Sequence, residues 1–213
     1  MSIAEQRDWY AWHHEYGDPE SELSNRLAVV QAEIRRVLPE HPAEAFQVVS
    51  ICAGQGHDII GVLADYPHAD RVKVRLVELN PDNVAQIRAR AEAANRELEV
   101  IEGDAADTAL YAGAVPADLV LAVGIFGNVS DADVLRTIDG LAAFTKPGGS
   151  VIWSRGRGIV PDITPQIRSR FAAAGFVETA FHAPDGARFQ IGANRYEGQA
   201  VRLSQGHLFS FRR

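Results

Sequence analysis

Apolar positions along the chain follow two rhythms. Up to about residue 40 they recur every three or four residues: Leu23, Leu27, Val30, Ile34 and Leu38. That spacing makes one face of a helix. Asp18-Pro19 ahead of it suits an N-cap with proline at the first helical position, and Pro39 and Pro42 end the helix. From about residue 46 the rhythm changes. Short, continuous apolar runs alternate with longer helical patterns. Strands are expected at Gln47–Cys52, Val72–Leu79, Leu98–Glu102, Asp118–Val123 and Ser150–Ser154. Helices are expected at His57–Asp65, Pro81–Asn95, Asp107–Ala112 and Asp131–Phe144. Unbroken apolar strands fit a sheet covered on both faces, and the alternation fits right-handed crossovers in a parallel sheet. After a helix in "TPQIRSRFAAAG", the runs "FVETAFHA" and "ARFQIGANRY" flank Pro184-Asp185-Gly186. These read as a hairpin, so the sheet should finish with an antiparallel pair. The tail "GHLFSFRR" fits either an edge strand or a loop.

Composition narrows the class. The chain has 213 residues, 46% hydrophobic and 23% charged, as in one ordinary globular domain with an added element. A net charge of −7 disfavours nucleic acid as a partner. The single cysteine, Cys52, lies in an apolar run and reads as a buried small residue. No run reaches the roughly 20 apolar residues of a membrane span. The start "MSIAEQRDWY" lacks the order of a signal peptide, so a cytoplasmic protein without membrane contact is expected. The histidines show no metal-ligand spacing, so no metal site is expected.

The chemistry gathers at the strand ends. "VVSICAGQGHDIIG" hands a strand to a helix through Ala53-Gly54-Gln55-Gly56. Glycine there permits a tight turn, and it also lets a ligand approach the main chain. The next strand ends at Glu78, a carboxylate able to accept from both hydroxyls of a ribose. The third ends in "EGDAAD", where Asp104 can accept from the exocyclic amine of a base. Each carboxylate alone reads equally as a solvated strand end or a turn residue. Ile59 stands where a dinucleotide fingerprint needs its third glycine, which argues against a nicotinamide cofactor. Asp58, early in the following helix, would repel a pyrophosphate and favour a ligand with a cationic end.

On these residues the sequence resembles the class I S-adenosylmethionine-dependent methyltransferases. The runs "VVSICAGQGHD", "VRLVELNP", "VIEGDAAD", "ADLVLAVGIFGNVSDAD" and "FTKPGGSVIWS" are similar to that family's motifs in order and spacing. The resemblance covers roughly residues 46–195. It implies an α/β, doubly wound, Rossmann-like sheet of seven strands, mostly parallel with the last antiparallel, plus an N-terminal helical extension. It implies S-adenosyl-L-methionine as cofactor and S-adenosyl-L-homocysteine as product. The turn Ala53 to Gly56 would then receive the methionine moiety. Glu78, with Leu79 beside it, would hold the ribose. Asp104 and Ala105 would border the adenine, and Val123 and Gly124 would flank the methyl end. Ser50 stands where many members have an acidic residue, and Asp58 is the candidate substitute.

Methyl transfer from a sulfonium is an in-line displacement with a neutral leaving group, so alignment and exclusion of water dominate. The segment "DWYAWHHEY" is the expected lid over the acceptor, with Trp9, Trp12, His13 and Tyr16 on one helix face. His13, His14, Tyr16 and Asn128 are the candidate catalytic residues; packing, solvation and turn closure are the plain alternatives. Arg155 and Arg157 near the same rim read either as surface charges or as ligands for an acidic acceptor. The expected organisation is a helical cap over residues 1–42 and a cofactor-binding domain over 43–213. A small-molecule acceptor is expected, and a homodimer is allowed for. RNA or protein methylation, or a non-catalytic S-adenosylmethionine-binding protein, are the alternatives.

Overall fold

The computed structural model describes residues 13–40 and 43–212, and for residues 13 and 14 the backbone only. A 3-10 turn, His13–Gly17, leads into α1 (Glu22–Val37). Then follow β1 (Phe46–Ile51), α2 (His57–Leu63), β2 (Val72–Glu78), α3 (Pro81–Ala93), β3 (Glu99–Glu102) and β4 (Ala117–Ala122). The chain continues through α4 (Asp131–Phe144), β5 (Thr145–Gly156), α5 (Thr164–Ala173), β6 (Phe176–His182) and β7 (Phe189–Tyr196).

The strands form one seven-stranded sheet in the order β3-β2-β1-β4-β5-β7-β6. Pairings from β3 through β5 are parallel, and β7 runs antiparallel between β5 and β6. The fold class expected from the sequence is therefore found, last strand included. Both faces are covered, and the strands show it by alternation. Leu119 and Leu121 of β4 enter the apolar cluster under α1 and α2, with Ile34, Ile59 and Leu63. Val120 and Ala122 enter the opposite cluster, with Phe126, Trp153 and Phe171. Two-sided burial is why the strands read as unbroken apolar runs.

Three expectations need correction. The N-cap of α1 is Ser21, not Asp18; its hydroxyl accepts from Ser24 N at 3.1 Å. Asp18 instead accepts from Glu20 N, two residues on, which turns the chain before the helix. The stretch expected as a helix at Asp107–Ala112 is a 3-10 turn at Thr108–Tyr111, too short to complete an α-helix. Strand β5 begins at Thr145, ahead of the expected Ser150, because the Pro-Gly-Gly stretch pairs through an irregular register beside Ala117–Leu119.

Of the two forms open for the tail, the loop is found, and it is docked. It crosses the strand ends as a strap, bridging His207 to Asp107 and Phe211 to Val129. Leu208 N donates to Ala106 O at 2.9 Å, and Phe209 is fully buried. Val30, Ile34 and Leu38 of α1 share one apolar cluster with the sheet, so this helix packs as part of the core.

Candidate active site

Where β1 meets β4 the connections leave to opposite sides of the sheet, which opens a crevice at the strands' carboxyl ends. A cleft of about 800 Å³ lies there. Its floor is the turn after β1. Cys52 and Gly54 both take left-handed backbone, φ 56° and 57°, and the turn closes with Gly56 N donating to Ala53 O. Cys52 is half-buried and lines the cleft. Burial, with Glu78 and Asp104 nearby, pushes its thiol well above the usual range, so it is a protonated wall residue.

Glu78 is fixed from both sides. Its Oε2 accepts from Gly54 N at 2.8 Å and its Oε1 from Asn80 N at 2.9 Å. The strand ends at this residue because Asn80 caps α3, accepting from Asp82 N at 2.8 Å ahead of Pro81. The carboxylate thus ties the glycine turn to the tip of β2. Burial raises its pKa, and the backbone hydrogen bonds pull the other way. Leu79, 63% exposed, forms an apolar shelf beside it.

Asp104, after β3, is also on the cleft wall, with Ala105. Its Oδ1 accepts from Ala106 N at 3.0 Å, and its Oδ2 lies 3.0 Å from His207 Nε2. On balance these hydrogen bonds keep its pKa below the usual value, although desolvation by burial is the largest single influence and acts upward. The β4 rim adds Val123 and Gly124. Gly124 N donates to Ser154 Oγ at 2.9 Å, and a Cβ on this glycine would meet nothing within 4 Å. Asn128, also a lining residue, donates from Nδ2 to Gly124 O at 2.7 Å, so its amide closes the rim loop.

The N-terminal part contributes as well. Tyr16, Arg26, Leu27 and Val30 line the cleft. The Tyr16 hydroxyl accepts from Arg26 Nη2 at 3.4 Å, and its ring lies 4.1 Å from the His57 ring. Burial raises the Tyr16 pKa, which keeps the phenol protonated at neutral pH. Asp58 is buried on the same wall, and burial raises its carboxyl pKa. Its Oδ1 accepts from Ile59 N at 2.7 Å.

Of the residues singled out in the sequence, Ala53, Gly54, Gln55, Asp58, Glu78 and Leu79 line this one cleft. So do Asp104, Ala105, Val123, Gly124, Asn128 and Tyr16. Gly56 does not. Its φ of 69° and the crowding of Ile60, 2.8 Å from where a Cβ would stand, account for the glycine. Trp9 and Trp12, and the side chains of His13 and His14, lie outside the described residues. Sequence reasoning missed Arg26, which lies in no motif, His57, which lies in the glycine-turn motif but was not singled out, and His207 and Phe211, which the strap brings from the far end of the chain. Of the two readings open for Arg155, a surface charge or a ligand for an acidic acceptor, the first does not fit, because the residue is 3% exposed and lines the cleft. Among the described residues no group of three or more metal-binding side chains comes together, and no helix is long and apolar enough to cross a membrane.

Sheet order, glycine turn and strand-end carboxylates together define the class I S-adenosylmethionine-dependent methyltransferase fold. Residues 48–149 match the family model described as a methyltransferase domain, so the resemblance read from the motifs holds. Solved structures agree on the fold. A protein of Bordetella parapertussis described as a possible exported protein superposes with a TM-score of 0.71 at 16% identity, over 89% of this chain and 79% of its own. An O-methyltransferase family protein of Burkholderia thailandensis gives 0.60 at 16%, over 90% and 69%. The fibrillarin pre-rRNA processing protein of Methanococcus jannaschii gives 0.60 at 16%, over 85% and 77%. Among curated protein sequences none matches the chain significantly.

Proposed function

We propose that the protein transfers a methyl group from S-adenosyl-L-methionine to a small-molecule acceptor held under α1. The observation that carries this reading is the single cleft joining the Gly54 turn, Glu78, Asp104 and the Val123–Gly124 rim. The residues suit the cofactor part by part. Glu78 keeps lone pairs for ribose hydroxyls after accepting from Gly54 and Asn80. Leu79 and Ala105 offer apolar surface to a base, with Asp104 as acceptor for its amine. Asp58 provides the negative charge for an amino end that Ser50 cannot supply.

S-adenosylmethionine, when bound, supplies an electrophilic methyl group on a sulfonium. The chain's own residues position and shield. Tyr16, Leu27 and Val30 line the cleft and give the acceptor a wall that displaces water. The Tyr16 hydroxyl accepts from Arg26 and, with burial keeping its proton on, has that proton to donate to an acceptor in the cleft. Asn128 holds the rim loop in shape through Gly124. Displacement of a neutral thioether needs no acid, so alignment is the main demand. A cleft of about 800 Å³ suits a small acceptor better than a polymer, as does the charge of −7.

Calorimetric titration with S-adenosylmethionine, S-adenosylhomocysteine and NAD tests the cofactor. Binding of the first two and not the third is expected; the reverse would overturn the reading. Incubation with S-adenosylmethionine and a metabolite extract should then release S-adenosylhomocysteine. Binding without release would make the protein a non-catalytic module.

A further inference from the structure

The roles proposed for binding and orientation fall on the strand tips β1 to β4 and on the N-terminal wall. One charged side chain at the β5 end of the cleft has none. Arg155, next to last in β5, lines the cleft, yet its side chain is only 1% exposed. Its Nη1 donates to Phe126 O. Its Nη2 is buried and has no hydrogen-bond acceptor among the described residues. Its charge is paired with Asp131, whose Oδ1 stands 3.5 Å from Nη2 in a long ion pair, and that same oxygen faces Arg212 Nη2 at 3.4 Å. Asp162 is the other carboxylate whose field reaches Arg155. A buried guanidinium with an unmatched donor is costly to keep.

Arg157, paired with it in the sequence reading, is accounted for. It is exposed and donates to Pro184 O at 2.7 Å and to Ala187 O at 3.2 Å, bracing the β6–β7 hairpin. Position separates Arg155 from the cofactor residues. Three strand spacings divide β5 from β2 in the sheet order, roughly 14 Å. Arg155 therefore lies beyond the β4 rim, among Gly127, Gly156, Ile159 and Phe211. At this end of the cleft Ile159 and Phe211 give apolar surface beside Asn128 and Ser154, and the buried cation Arg155 there selects an organic anion. The cleft's own Asp58, Glu78 and Asp104, with Asp131 behind Arg155, oppose a dianion and favour a singly charged group.

Resting on the methyl-transfer reading above, we infer that Arg155 sets acceptor specificity: it binds the carboxylate of an otherwise apolar small molecule, presenting the rest of that molecule to the β4 rim. The acceptor is thus a carboxylic acid, and Asp131 competes with it for the guanidinium.

Sodium benzoate and its uncharged isostere benzamide serve as probes, titrated into the full chain with and without saturating S-adenosylhomocysteine. Wild type should bind the acid roughly tenfold or more tighter than the amide, the ratio expected of a hydrogen bond to a charged group. Arg155→Gln should erase that preference and leave S-adenosylhomocysteine affinity unchanged. Asp131→Asn, which frees the guanidinium, should tighten benzoate severalfold, and it keeps the test decisive if Arg155→Gln fails to fold. Equal binding of acid and amide, no binding of benzoate, a preference surviving in Arg155→Gln, or no gain in Asp131→Asn would overturn the inference. Failure of S-adenosylhomocysteine to bind wild type would instead sink the methyl-transfer reading, while the acid–amide comparison made without it still reports on Arg155.

Discussion

Replacing Glu78 with glutamine removes a charge and turns one acceptor oxygen into a donor. In the folded chain the two oxygens serve two backbone donors, Gly54 N at 2.8 Å and Asn80 N at 2.9 Å, with Asn83 Nδ2 at 3.5 Å. Glutamine can satisfy one of these and points an NH2 at the other. An unmatched buried donor costs about 1–3 kcal/mol. Burial already raises the Glu78 pKa, so neutralising it returns part of the desolvation penalty. A net destabilisation of about 1–2 kcal/mol follows, read from the midpoint of urea unfolding. Cofactor affinity should fall separately. Losing one charge-assisted hydrogen bond to a ribose hydroxyl is worth about 1.5–3 kcal/mol, or about 10- to 150-fold in Kd. Calorimetry with S-adenosylhomocysteine on the folded variant measures it. Lost stability with unchanged affinity would reduce Glu78 to a brace for the glycine turn and remove the ribose assignment.

Other outcomes are equally specific. Glu78 and Asp58 titrate above their ordinary values of 4.5 and 3.8, chiefly through burial. The folded chain holds these protons more tightly than the unfolded chain, so their contribution is greatest below the ordinary values and is lost as pH rises through the raised ones. Cofactor affinity needs ionised Glu78 and should rise across the same window; urea midpoints and affinities that climb together there would contradict this. Gly56→Ala puts an L-residue at φ 69° with its Cβ 2.8 Å from Ile60 Cδ1, and should lower stability by about 1–3 kcal/mol, an unchanged urea midpoint being the adverse result. Phe209→Ala empties a fully buried site under the strap and should cost about 3–5 kcal/mol, visible as a lowered Tm; a surface-like loss would mean the strap is not docked.

What could be read from the sequence follows from what is local. Helix α4 at Asp131–Phe144 matches expectation at both ends because Ser130 caps it and its apolar face is periodic. The strand-end residues were found because β strands, turn glycines and acidic tips sit side by side in the chain. The rim position of Arg155 could be read in the same way, but its burial could not. Its neighbours Gly156, Arg157 and Gly158 look like an exposed basic loop, and its burial depends on Phe126 and Asp131, which belong to another crossover. His207 reaches Asp104 across 103 positions of sequence, a closeness that no periodicity encodes. Gly56 shows the converse: a motif residue whose glycine serves packing against Ile60 more than ligand approach.

The lateral order of the strands explains why charge is divided across the cleft. Crossovers from β1 run outward through β2 to β3, and those from β4 run the other way through β5, so the cleft opens between the two series. Glu78 ends β2 and Asp104 follows β3, both in the first series, and Asp58 follows the turn that begins it. Arg155 ends the first strand beyond β4 in the second. A polar ligand laid across the switch point thus meets Asp58, Glu78 and Asp104 on one flank, with Arg26 beside Asp58, and Arg155 paired with Asp131 on the other. Two molecules of opposite end-charge, one rich in hydroxyls and cationic at its tail and one anionic, would be drawn to opposite flanks and meet at the Val123–Gly124 rim. Neutralising either group should therefore impair one ligand and spare the other, which is why Glu78→Gln and Arg155→Gln are expected to fail in different assays.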